Sequence, residues 1–129
     1  MTVQRYSEIT ANVLLHRGCQ IYPILIGAAH NRQTLTYGMV ADLLGYEGAG
    51  VLDRQLGLLM YWCDDHGLPP VTVLVVNSAT GLPGVGLMKL DDLHASREAV
   101  FNFNWYDLVA PDIETLRLYE GKLRTKQQT

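Results

Sequence analysis

Cysteine is scarce: Cys19 and Cys63 are the only two, and they form no CxxC pair. That excludes a disulfide framework and a zinc ribbon, and a reduced cytosolic protein is the expectation. Positive charge is scarce as well, with 10 Lys and Arg against 13 Asp and Glu and a formal net charge of −3. Binding to nucleic acid without regard to sequence depends on neutralising phosphates, so any basic patch here must be small. Long apolar runs are missing too. Residues 21–29 form the longest, far short of a bilayer span, so no membrane partner is expected. Residues 1–8 hold no apolar signal region, and the expected location is the cytoplasm. His16, His30, His66 and His94 are scattered without zinc spacing, so neither a metal nor a cofactor is expected.

What is present is a core. Hydrophobic residues make up 48% of 129 residues and charged residues 18%, which fits one folded domain over residues 1–129. Val3, Tyr6, Ile9, Val13 and Leu14 recur at helical spacing, which predicts a helix over 2–17 stopped by Gly18. Pro23 suits the first turn of a second helix reaching about His30. Thr36 is a good N-cap for a helix over 37–44, and Gly45 is its natural stop. After a small turn at Tyr46-Glu47-Gly48-Ala49-Gly50, a further helix is expected over 51–65. It carries a stripe of Leu52, Leu56, Leu59 and Cys63, with Arg54, Tyr61 and Asp65 opposite. Asp64 and Asp65 fall at its C-terminus, where the dipole disfavours them.

Residues 71–76 are apolar on both faces and predict a covered strand. Residues 78–84 predict a turn or wing, and 85–88 a return strand. Asp91 or Asp92 opens a helix to about Phe101, and Pro111-Asp112 opens the last one. The expected fold is mostly α with a small β element: a winged helix-turn-helix over 22–86. An N-terminal helix over 1–21 and a C-terminal helical extension over 87–129 flank it.

Three pieces of this sequence carry a family resemblance. They are Thr36-Tyr37-Gly38-Met39-Val40-Ala41, then Arg54-Gln55-Leu56-Gly57, then Val75-Val76-Asn77 with Gly81. Together they resemble the C-terminal domain of the alkylguanine DNA alkyltransferases and the related alkyltransferase-like proteins, which bind DNA without the reaction. The resemblance covers about half the chain. It implies that Tyr37 presses on a phosphate and that Arg54 fills the gap left by a flipped base. Gly48 and Gly50 would let backbone amides approach a phosphate. The family's acceptor cysteine is absent: Thr72 falls at its position, with Val73 and Leu74 in place of the His-Arg pair. A hydroxyl without an adjacent base is a poor nucleophile near neutral pH, so no enzyme activity is expected. The spacing from tyrosine to arginine is also three residues longer than in the family.

The expected function is therefore non-catalytic binding of duplex DNA through Tyr37, Arg54, Arg32, Thr36, Gly48 and Gly50. Arg32, on the loop before the first helix of the motif, is a phosphate-contact candidate. The alternative is a protein-interaction module on the same fold. Its contact surface would be the aromatic C-terminal region of Phe101, Phe103, Trp105 and Tyr106, which otherwise reads as a satellite core.

Overall fold

The computed structural model describes residues 3–46, 52–84 and 92–123. Among them the chain is mostly helical, with one small parallel sheet. The helices are α1 (Val13–His30), α2 (Tyr37–Leu44), α3 (Asp53–Asp65), α4 (Leu93–Asn102) and α5 (Ile113–Arg117). The strands are β1 (Leu35–Thr36) and β2 (Val75–Val76), paired Leu35 to Val75 and Thr36 to Val76.

α1 is the central element, packed against α3, α4, α5 and the 3-10 turn Val71–Leu74. Its buried residues, Leu15, Gly18, Ile21, Tyr22, Leu25, Ile26, Ala28 and Ala29, recur three and four apart and make one continuous face. This corrects the expectation of two helices broken at Gly18. The first helix is absent over residues 3–12, where only Tyr6–Glu8 makes a 3-10 turn and Val3 is exposed. Gly18 lies inside α1 for a packing reason. A Cβ there would stand 3.1 Å from Leu116 Cδ1 and 3.4 Å from Leu58 Cδ1, so its absence lets α5 and α3 close on α1. Pro23 also lies mid-helix, on an exposed position where it lacks the N–H for the Cys19 carbonyl.

α3 follows the expected stripe. Leu52, Leu56, Leu59 and Cys63 are buried, and Gln55, Gly57, Leu58 and Trp62 widen the buried face. The Trp62 ring meets Tyr22 of α1 edge to face at 5.5 Å. At the helix end Asp65 Oδ2 accepts a hydrogen bond from the Tyr119 hydroxyl at 2.8 Å. That partner accounts for an acid at a helix C-terminus.

The apolar run at 71–76 is buried throughout, as expected, but only its last two residues are strand. Val71–Leu74 turns as a 3-10 helix under α1, α3 and α4. The partner β1 is two residues long, so a longer strand would leave its backbone unpaired. The pairing is parallel, with α2 and α3 forming the crossover that parallel strands require. Val76 then bridges Pro83 in antiparallel sense across the following turn. The expected return strand at 85–88 lies outside the described residues.

The three short helix starts follow their caps. Thr36 Oγ1 accepts from the Met39 N–H, Asp92 from Ala95 and Asp112 from Thr115. Gly45 ends α2 with φ +77°, a left-handed conformation suited to glycine.

Candidate nucleic-acid interface

Thr36 and Tyr37 stand at the junction of β1 and α2, so the cap also fixes where the tyrosine leaves the backbone. The Tyr37 ring is half-buried, and its hydroxyl accepts a hydrogen bond from the Gly84 N–H at 2.9 Å. Burial pushes the Tyr37 hydroxyl pKa up. The Gly84 N–H opposes that shift and the Asp53 carboxylate adds to it. One tyrosine thus joins the start of α2, the end of the 77–84 turn and the electrostatic reach of α3's first residue.

Arg54 lies on the first turn of α3, exposed beside Asp53. Its guanidinium has no hydrogen-bond or ion-pair partner among the described residues. Gly48 and Gly50, expected to admit a phosphate, lie outside the described residues.

Arg32 is differently placed. Its backbone is left-handed at φ +54°, and its guanidinium donates to Glu98 on α4 at 2.6 Å. It also lies over the Phe101 ring at 4.9 Å. The hydrogen bond from Arg32 holds the Glu98 carboxyl below its usual range. A phosphate at Arg32 would have to compete with that carboxylate.

Two arginines that sequence reasoning missed are engaged in the fold. Arg17 donates to the Leu44 carbonyl at 3.0 Å and to Gln20, between the rings of Tyr6 and Tyr46. Arg97 of α4 donates to the Gly81 carbonyl at 2.9 Å. The turn composition at 78–84 was visible in the sequence, but its partner on α4 was not.

Thr72, which the resemblance would place at the acceptor position, is 1% exposed, and its Oγ1 has no partner among the described residues. A substrate cannot reach it without opening the core. The neighbouring Cys63 thiol is pushed up to about 11 by burial, partly offset by the Val71 N–H. Cys19 is half-buried and also raised, first by burial and then by Asp112.

The aromatic region divides. Trp105 is buried and donates from its indole nitrogen to the Val100 carbonyl at 2.8 Å, with Phe103 at 4.6 Å. Tyr106 is 67% exposed and meets His30 edge to face. Val109 and Leu118 are also exposed. The satellite-core reading fits Trp105, and the surface reading fits Tyr106.

No helix among the described residues is long and apolar enough to cross a membrane. No protein-family model matches the chain, and neither a curated protein nor a solved structure matches it.

Proposed function

We propose that this chain is a non-catalytic DNA-binding module of winged helix-turn-helix type, laid out like the alkyltransferase-like proteins. In this reading α2 supports α3, α3 meets the duplex, and the 77–84 turn begins the wing. The observation that carries it is Arg54: an exposed guanidinium, unpaired among the described residues, on the first turn of α3. Buried Thr72 supports binding without alkyl transfer. The Tyr37 hydroxyl accepts from the Gly84 N–H and so positions the turn, and its own O–H is the donor for a phosphate-side contact.

The charge inventory sets the strength of binding. Arg17, Arg32 and Arg97 are committed to internal partners, so few phosphates can be neutralised. With about two phosphate contacts, log affinity should fall against log salt with a slope near −2. Fluorescence anisotropy on a short duplex at low salt tests this. The expected result is weak, shallowly salt-dependent binding that Arg54→Ala removes. Absence of binding at low salt refutes the DNA reading.

A second reading, a protein-interaction module, is favoured by one specific observation. Tyr106, Val109 and Leu118 are exposed at 67%, 91% and 75%, while Arg32, a cation that a DNA face would use, is paired with Glu98. A pull-down that survives nuclease and is lost in Tyr106→Ser with Val109→Ser would favour it.

A further inference from the structure

The 77–84 turn is exposed from Asn77 to Leu82, yet it is unusually well fastened. Internally, the Asn77 N–H donates to the Leu82 carbonyl and the Gly81 N–H to the Asn77 carbonyl, both at 2.8 Å. Asn77 Oδ1 accepts from Ala79, and Thr80 Oγ1 accepts from Leu82. Gly81 takes φ +70°, which a side chain would strain. Two side chains from separate helices then hold its far end, Arg97 of α4 at the Gly81 carbonyl and Tyr37 of α2 at the Gly84 N–H.

The Arg97 bond has a cost. Its Nε is buried without a partner among the described residues, which costs stability. The Gly81 carbonyl is neutral, so Arg97 keeps its positive charge beside the turn. What it achieves is to fix an exposed turn whose rim carries Leu82, 52% exposed, and Thr80. Ordering a contact loop before binding removes the entropy that would otherwise be lost on binding.

We infer that Arg97 is a positioning residue, and that with Tyr37 it clamps the 77–84 turn as a preformed second contact element for the duplex, presenting Leu82. Apolar side chains on such elements lodge against base steps in the minor groove, where they need no added charge. The inference rests on the DNA reading above for the identity of the partner. The clamp itself does not.

The test combines amide hydrogen exchange with duplex anisotropy on the full chain. Arg97→Met keeps the apolar stem and removes the donor. It should speed exchange at Gly81 and Leu82 while the α3 amides stay protected. It should also weaken duplex binding roughly threefold to tenfold, the expected cost of reordering a few loop residues. Arg97→Lys, with one donor within reach, should restore part of both. Leu82→Ser should weaken binding to a similar degree without loosening the turn. Unchanged exchange at Gly81 in Arg97→Met overturns the clamp. A loosened turn with unchanged affinity overturns the contact role. If Arg97→Met does not fold, Leu82→Ser decides the contact role, and unchanged affinity there overturns it. If the unaltered chain binds no duplex, the DNA reading and the contact role both fail, and exchange in Arg97→Met alone decides the clamp.

Discussion

The interface of α1 with α3 and the edge where α2, α4 and the 77–84 turn meet are held by different forces. The first is dry: Leu15, Leu25, Leu56, Leu58 and Leu59 are essentially without exposure, and Gly18 allows close approach. The second is polar and stands partly in water, with Tyr37 bonded to Gly84, Arg97 to Gly81 and Arg32 to Glu98. Apolar burial is non-directional and sums over a wide area, so it sets stability. Single polar bonds at a surface add little net stability but define geometry. The same contrast explains why the candidate site lies on the edge: a surface that must meet a partner needs a shape more than it needs strength.

Four measurements would break or sharpen that contrast. The largest effect should come from Leu58→Ala, which opens a cavity against Gly18. It is expected to lower unfolding free energy by about 2–5 kcal/mol in a denaturant titration. A loss as small as that of an edge variant would show that the dry interface is not what chiefly stabilises the fold. Next, Thr36→Ala removes the α2 cap and should cost about 1 kcal/mol, with exchange faster in the first turn of α2. Third, Tyr37→Phe leaves the Gly84 N–H without its acceptor and should cost about 0.5–1.5 kcal/mol. A loss above that range would make the edge structural rather than geometric.

The last effect is read at alkaline pH. Burial, and then the hydrogen bond to Asp65, push the Tyr119 hydroxyl up to about 12 from an ordinary 10.0. The protonated form is favoured in the folded state, so its contribution is complete below pH 10 and is lost as pH rises through about 12. Stability measured across that window should fall in the unaltered chain and less steeply in Tyr119→Phe. Equal slopes would show that Asp65 does not hold this phenol.

Features written in neighbouring residues were legible in the sequence. Thr36 and Gly45 bound α2, Asp92 opens α4, and Asp112 opens α5, because a cap is made within one turn. The buried stripe of α3 was legible through its spacing. Gly18 reads as a helix stop in sequence because its actual reason, the approach of Leu58 and Leu116, lies far along the chain. The apolar run at 71–76 announced burial but not backbone shape, which the two-residue length of β1 decides. At the candidate site Tyr37 and Arg54 could be named from motif position. The bonds that commit Tyr37 to Gly84, Arg32 to Glu98 and Arg97 to Gly81 all join distant segments, so no local pattern could announce them.

The two-residue parallel sheet has a consequence for the order in which this chain assembles. A hairpin can pair its strands as soon as the turn forms, but Thr36 meets Val76 only after α2 and α3 have carried the chain around. Closing so long a loop loses entropy that two residue pairs cannot recover alone, so the helices must already be packed when the strands meet. The sheet is then a latch that closes last.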